Sequence, residues 1–253
     1  MGFLKVLLNI VHFILALWTY FVNILGTAIK TLNITAQKHS LSKIQNDSRC
    51  LKKLPLHIGL VFVEENVSFT DIVNMLVWSM AMGITYISLY DRYGNIKRRK
   101  DFLEKTLALQ GEKAIGNEIK KYDIRVNSKS CEKRQEGGCN GRQVVDVTLL
   151  SVEDGQESLA SFSRKVANSI LEGKYKLEDI NPSTVDLMLQ GERNFPDPDL
   201  VLCFGPMQTL LGFLPWQTRL TEILHLPTHQ SVNYKDFHRA ILGYGDTEQR
   251  FGK

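Results

Sequence analysis

The chain is long enough for one globular domain of about 200 residues with an appendage, because 253 residues with 43% hydrophobic content can build a sizeable core. Its net charge is only +4, and basic and acidic residues are interleaved between Lys97 and Arg142, which argues against a nucleic-acid partner. The cysteines form no CxxC pair and have no histidine cluster beside them, so we expect free thiols rather than a zinc site; they are Cys50, Cys131, Cys139 and Cys203.

The first long apolar segment runs from Val6 to Ile29 and is bracketed by Lys5 and Lys30. Its 24 uncharged residues match the length of a helix that crosses a bilayer. A cleaved signal peptide is the alternative, although its apolar region is normally only 7–15 residues, about half of this length. We therefore predict a membrane anchor over residues 1–30 and a polar, partly helical tether over residues 31–54.

Basic residues are concentrated on the carboxyl side of this segment, from Lys30 to Lys53. The positive-inside bias then places the rest of the chain in the cytosol. In that orientation the glycosylation sequons at Asn33, Asn46 and Asn66 remain unused.

A β-α-β unit opens the predicted globular domain, which spans residues 55–253. His57 to Val63 is a continuous apolar run typical of a strand in a parallel sheet. Phe69 to Met82 has apolar residues at helical spacing after Ser68, a plausible N-cap, and Gly83 ends it. Ile84 to Tyr90 is the next predicted strand.

Further elements alternate in the same way and predict an α/β fold, a mostly parallel central sheet flanked by helices. We expect strands at 124–126, 144–150 and 199–204, helices at 97–121, 158–172 and 234–244, and a helix that begins at Thr218 and leads to His225. Residues 128–142 read as a surface loop. The helix at 158–172 carries Leu159, Phe162, Val166 and Ile170 on one face.

The stretch from Pro198 to Gln217 carries a family pattern. Pro198-Asp199-Leu200 leads through a strand to Gly205-Pro206, and Phe213-x-x-Trp216-Gln217 follows. This frame resembles the end of the cis-prenyltransferase pattern, that of the undecaprenyl and dehydrodolichyl diphosphate synthases. The likeness extends over roughly residues 55 to 253 and implies the same fold, preceded here by the membrane helix.

The chemistry expected inside that frame is missing. Catalytic members of the family carry Arg, Arg and Ser at the positions of Cys203, Thr209 and Leu211, and the magnesium-binding Asp at the position of Val63. Val152 to Gln156 replaces their Asn-Tyr-Gly-Gly-Arg. A valine has no oxygen ligand for a hard cation. The chain therefore resembles the non-catalytic partner subunits, the Nus1 or Nogo-B receptor type.

The remaining titratable residues near these positions give no sign of a metal site. Two adjacent carboxylates at Glu64 and Glu65 would repel a diphosphate, so we interpret them as a solvated turn. His225, His229 and His238 have irregular spacing, and we predict satisfied or exposed histidines without a catalytic role.

The chain ends in Gln249-Arg250-Phe251-Gly252-Lys253, which resembles the Arg-x-Gly motif that completes the active site of the neighbouring subunit in two-chain cis-prenyltransferases. A guanidinium grips phosphate oxygens in a bidentate fork, and glycine allows close backbone approach. The resemblance implies that Arg250 and Gly252 act in trans on isopentenyl diphosphate.

Taken with the anchor, the resemblance implies a subunit of a heteromeric cis-prenyltransferase that makes long polyprenyl diphosphates for dolichol at the endoplasmic reticulum membrane, its domain in the cytosol. The partner would be the catalytic dehydrodolichyl diphosphate synthase subunit, and the substrates would be isopentenyl diphosphate and an allylic diphosphate. That subunit and the substrate diphosphates would hold Mg²⁺. This chain would hold no metal or cofactor. Two alternatives stay open: a membrane receptor or scaffold with a degenerate synthase fold, and a self-sufficient homodimeric synthase.

Overall fold

A six-stranded, fully parallel sheet organises the chain in a computed structural model, which describes residues 12, 17–18, 41–127, 141–191 and 195–248. The strands are β1 (His57–Phe62), β2 (Tyr86–Asp91), β3 (Tyr122–Val126), β4 (Gln143–Leu150), β5 (Leu200–Phe204) and β6 (Glu222–Leu226). Their spatial order is β3-β4-β2-β1-β5-β6. The predicted α/β class with a mostly parallel sheet is confirmed.

Seven α-helices surround this sheet in the described part of the chain. They are α1 (Leu41–Arg49), α2 (Phe69–Met82), α3 (Asn95–Arg98), α4 (Lys100–Ile115), α5 (Gln156–Leu171), α6 (Pro182–Gly191) and α7 (Tyr234–Asp246). Short 3₁₀ helices lie at Gly116–Lys121, Val152–Asp154, Leu177–Asp179 and Gln217–Leu220.

The predicted β-α-β unit forms the centre of the fold. Ser68 caps α2 by accepting a hydrogen bond from the N–H of Asp71, and Gly83 ends the helix with φ +101°, a conformation that favours glycine. Nearly all of α2 is buried, and Trp78 packs edge-on against Tyr234 of α7. This helix covers the larger of two apolar clusters, on one face of the sheet.

Helix α1 lies inside the segment interpreted as a tether and packs on the folded core. Ile44 is buried in the main cluster, the Tyr234 hydroxyl donates to Asp47 over 2.9 Å, and the Ser48 hydroxyl donates to the carbonyl of Met82 over 2.6 Å. These contacts attach residues 41–49 to α2 and α7.

Two predicted helices differ from the structure. The helix expected over 97–121 is divided into α3, α4 and a 3₁₀ helix. Arg99, with φ −104° and ψ 32°, separates α3 from α4, and Gly116 ends α4 with a positive φ of +63°. The helix expected to run from Thr218 to His225 is wrong beyond Leu220, since Glu222–Leu226 pairs with β5 as the sixth strand. A neighbouring strand edge outweighed the local helical pattern there.

Three predicted features lie wholly or mostly outside the described residues. These are the predicted span from Val6 to Ile29 apart from residues 12, 17 and 18, most of the 128–142 loop with Cys131 and Cys139, and the tail with Arg250 and Gly252. Within the described ranges, none of the helices is both long and apolar enough to cross a bilayer. Cys50 and Cys203 are free thiols, as predicted.

Candidate functional site

The carboxyl ends of the parallel strands meet at one edge of the sheet, where ligands bind in open α/β folds. We call it the carboxyl edge, formed by residues 63–66, 91–95, 151–156 and 205–212, which follow β1, β2, β4 and β5. The four positions at which the family resemblance places the metal ligand and three phosphate ligands of catalytic members lie there or beside it, at Val63, Cys203, Thr209 and Leu211.

Val63 stands in close contact with the opposite loop. Its N–H donates to the carbonyl of Phe204 over 2.8 Å, and a Cβ added to Gly205 would lie 2.8 Å from the Cβ of Val63. Gly205 adopts a φ of +142°, so the tight approach depends on glycine. The position therefore presents hydrocarbon against backbone, with no side-chain oxygen for a cation.

The loop after β5 is fastened by its own polar atoms. Tyr90 of β2 donates its hydroxyl to the carbonyl of Leu211 over 2.6 Å, and the thiol of Cys203 contacts the carbonyl of Thr209 at 2.9 Å. The Thr209 hydroxyl accepts the N–H of Leu211 over 3.3 Å. These groups stabilise the loop and are not turned to a ligand. Burial raises the pKa of the Cys203 thiol, which keeps it neutral.

An apolar cluster fills the sheet face behind this loop. Phe213 approaches the sheet so closely that a Cβ on Gly59 would lie 2.9 Å from its ring. The buried members are Val61, Tyr90, Leu150, Val201, Cys203, Phe213 and Leu214, with Val63, Phe195, Leu210, Leu211 and Ile223 packed around them. A charged diphosphate would meet hydrocarbon here, and a desolvated charge without partners is costly.

The segment after β4 closes the same edge from the other side. Ser151 and Asp154 form a capping box, and Lys97 makes an ion pair of 2.6 Å with Asp154. A Cβ on Gly155 would lie 2.1 Å from the carbonyl oxygen of Gly212, so the two loops touch. The cation at Lys97 is thus engaged by a carboxylate of this chain.

Glu64 does not lie in a solvated turn, contrary to the prediction. Its carboxylate accepts hydrogen bonds from the hydroxyl of Thr228, from the N–H of His229 over 2.9 Å and from the His229 ring. Burial opposes ionisation of Glu64, but these donors outweigh it and hold its pKa below the usual value. Glu64 therefore ties the turn after β1 to the loop before α7.

The three histidines have partners within the protein, as predicted. Nε2 of the buried His229 accepts the N–H of Ser68 over 2.8 Å, so its Nδ1 carries the proton toward Glu64. Nε2 of His225 lies 2.7 Å from the carbonyl of Gly205, and the His238 ring packs on Tyr234. Within the described ranges, the structure gathers no three His, Cys, Asp or Glu side chains able to hold a metal ion.

A second feature, which the sequence analysis missed, is an open apolar groove between α5 and α6. It encloses about 360 Å³ and is lined by Leu159, Phe162, Ser163, Val166, Ala167, Ile170, Ile180, Val185 and Trp216. The helical spacing of Leu159, Phe162, Val166 and Ile170 predicted this face, but only Phe162 is fully buried. We call this surface the α5–α6 groove.

One wall of the α5–α6 groove is held by Asp186. Its carboxylate accepts hydrogen bonds from the indole N–H of Trp216 and from the guanidinium of Arg219, which also stacks over the Trp216 ring at 4.7 Å. The hydrogen bond from Trp216 is the main factor that lowers the pKa of Asp186. Trp216 of the family frame is thereby fixed at the rim of the groove.

Comparison with curated proteins identifies a close relative. The chain is 39% identical over 222 residues to the dehydrodolichyl diphosphate synthase complex subunit Nus1 of Mus musculus, an alignment that covers 86% of this chain and 72% of the relative. The chain belongs to the Nus1 family. The corresponding subunit of Schizosaccharomyces pombe is 27% identical over 258 residues, which cover 99% of this chain and 98% of that protein. No protein-family model matches the sequence.

A solved structure supports the same fold. Lavandulyl diphosphate synthase from Lavandula x intermedia, in complex with dimethylallyl diphosphate, matches 79% of this chain and 99% of its own with a TM-score of 0.54 and 18% identity. The Nus1-family chain therefore shares the architecture of a prenyl diphosphate synthase.

Proposed function

We propose that this Nus1-family chain is the accessory subunit of a heteromeric cis-prenyltransferase that makes dehydrodolichyl diphosphate, and that it is inactive alone. The observation that carries the proposal is the closed carboxyl edge, where Val63, Cys203 and Leu211 are packed in hydrocarbon. The resemblance to complex subunits named for dehydrodolichyl diphosphate synthase supports the same role.

The described residues do not fit a magnesium site. Val63 offers no oxygen, and the carboxylate of Glu64 is occupied by Thr228 and His229. We therefore assign Mg²⁺, which would clamp the leaving diphosphate, to the catalytic partner and the substrates. This chain would contribute Arg250 and Gly252 from its tail to the isopentenyl diphosphate in the partner's site.

The α5–α6 groove is the surface that we assign to the catalytic partner. Aromatic anchors beside open apolar pockets are typical of stable protein interfaces, and Phe162 and Trp216 provide them here. Each of the two helices that form the groove also carries a large exposed leucine, Leu171 on α5 and Leu187 on α6. An open apolar groove of this size favours a partner protein over water.

We further propose that residues 6–29 anchor the chain in the endoplasmic reticulum membrane with the folded domain in the cytosol. The support is the uncharged segment and the excess of basic residues between Lys30 and Lys53. Endoglycosidase treatment of the full-length protein should leave its mobility unchanged. A glycan-dependent shift at Asn33, Asn46 or Asn66 would reverse the orientation.

The decisive test of the function is a condensation assay with isopentenyl and farnesyl diphosphates. The purified chain should show no turnover at any magnesium concentration, and the pair with the catalytic subunit should be more active than either chain. Turnover by the isolated chain would favour the self-sufficient synthase. A pair no more active than the catalytic subunit alone would favour the receptor or scaffold.

A further inference from the structure

Helix α4 presents a narrow exposed stripe that the proposed function does not use. One face of α4 carries Phe102, Lys105, Leu109 and Lys113. At about 100° per residue, these four side chains fall within a third of the helical circumference. Phe102 is 52% exposed and Leu109 is 65% exposed. We call this face the α4 stripe, and it combines two large apolar side chains with two ammonium groups.

Another face of α4 packs against the core. Leu103, Leu107, Gly111 and Ile115 face the core, where α4 packs on α2. The acidic residues Asp101 and Glu112 lie on the flank between the core face and the stripe, and Glu104 forms an ion pair with Lys100. Helix α4 therefore has its own buried face, and the α4 stripe is a separate, exposed face of the same helix.

Charges within the stripe remain available to a partner. In the part of the chain that the structure describes, neither Lys105 nor Lys113 forms an ion pair. The Arg99 guanidinium extends the positive charge at the amino end of the stripe, 5.7 Å from the Phe102 ring centroid. The Thr106 hydroxyl beside the stripe is already bonded to the carbonyl of Phe102.

The segment around the α4 stripe also carries a net positive charge. Residues 95–121 contain eight Lys or Arg and four Asp or Glu, an excess as large as the net charge of the entire chain. Lysine side chains beside exposed Phe and Leu are typical of helices that lie in a membrane interface, where apolar groups enter the headgroup region and ammonium groups contact anionic lipid.

We propose that the α4 stripe docks on an anionic membrane surface. Charge complementarity is the reason for choosing a lipid surface over a neutral protein groove. The predicted span ends at Ile29 and α1 begins at Leu41, so even a fully extended connection reaches only about 40 Å and keeps the domain near the bilayer. The inference rests on the proposed membrane anchoring in this one respect.

The test uses the full chain reconstituted into vesicles of brominated phosphatidylcholine, with or without phosphatidylserine. Tryptophan replaces Leu109 in one variant and Leu177, an exposed leucine outside the stripe at 75%, in the control. Bromolipid quenching of the added tryptophan should be strong for Leu109→Trp in anionic vesicles and weak for Leu177→Trp. Adding Lys105→Gln and Lys113→Gln should lower the docked-to-undocked ratio roughly 25-fold, about fivefold per charge.

The outcomes separate the stripe from the anchor. Equal quenching at Leu109→Trp and Leu177→Trp, or equal quenching with and without phosphatidylserine, would overturn the docking surface. If the catalytic subunit covers the Leu109→Trp side chain in the absence of lipid, the stripe is a protein-binding surface, and the membrane-docking proposal is overturned as well. Failure of the chain to float with neutral vesicles would contradict the membrane anchor. The α4 stripe would then be supported only if the chain floats with anionic vesicles and Lys105→Gln with Lys113→Gln abolishes that flotation.

Discussion

The hydroxyl of Tyr90 donates a hydrogen bond of 2.6 Å to the main-chain carbonyl of Leu211. It joins the end of β2 to the loop that follows β5, across 121 residues of sequence. The loop takes the place of the phosphate-binding run of catalytic relatives, and this bond holds it against the sheet. The closed carboxyl edge is thus built by specific contacts and not only by the loss of ligands.

Tyr90→Phe should lower the free energy of unfolding by about 1–2 kcal/mol, because the partly buried carbonyl of Leu211 loses its donor. Burial raises the pKa of Tyr90 to about 12, so the phenol remains a donor throughout the usual pH range. Denaturant unfolding of the purified chain gives the measurement. Tyr93→Phe, at an exposed tyrosine, is the matched control and should change stability by less than about 0.5 kcal/mol. Equal effects of the two changes would contradict this role of Tyr90.

His57 should make stability depend on pH. Its buried Nδ1 lies 2.6 Å from the carbonyl of Pro196 and its Nε2 lies 2.8 Å from the hydroxyl of Ser88. Burial is the main factor, and it lowers the pKa of His57 from 6.5 to about 4. The unfolded chain therefore binds a proton that the folded chain excludes between these values.

The stabilising contribution of neutral His57 is complete above pH 6.5 and is lost as the pH falls toward about 4. The loss amounts to at most about 3 kcal/mol, since each pKa unit corresponds to about 1.4 kcal/mol. Unfolding curves over this pH window, for the wild type and His57→Gln, measure the difference. Parallel pH dependence in the two proteins would show that His57 does not contribute.

The α5–α6 groove gives a prediction about assembly. Val166→Asp places a charge among the apolar lining residues and should weaken the complex with the catalytic subunit by roughly 30-fold or more, as expected for a central interface position. Titration of the labelled chain with the partner measures the dissociation constant. Ser161→Asp, on the exposed opposite side of α5, adds the same charge and should leave the affinity unchanged. Equal weakening by both changes would remove the groove from the interface.

Local pattern sufficed to predict β1, α2 and β2, because each has a continuous apolar signal and α2 has a cap at both ends. It failed at β6, where pairing with β5 decides the structure. The segment before residue 55 is partly helical, as expected, but the local pattern did not predict that Ile44 of α1 is buried in the core. Both outcomes depend on residues distant in sequence.

The candidate site divides in the same way. Val63 and Cys203 were recognisable as missing ligands from the family frame alone. Other contacts join residues more than 100 positions apart, so no local motif predicts them. These are the contacts of Glu64 with Thr228 and His229, and of Tyr90 with Leu211. The α5–α6 groove had a signal in its helical spacing, but spacing does not distinguish a face buried by the chain from one left for a partner.

The central claim is that this chain completes the active site of its partner, and Arg250 tests it most directly. The measurement is a steady-state assay of the reconstituted pair with isopentenyl diphosphate varied, for the wild type, Arg250→Ala and the control Arg239→Ala on the exposed surface of α7. A charge-assisted contact to a diphosphate contributes about 1.5–3 kcal/mol, so Arg250→Ala should lower kcat/KM by roughly tenfold to a hundredfold or more, while Arg239→Ala and co-purification of the pair stay unchanged. Wild-type kinetics for Arg250→Ala would contradict the account.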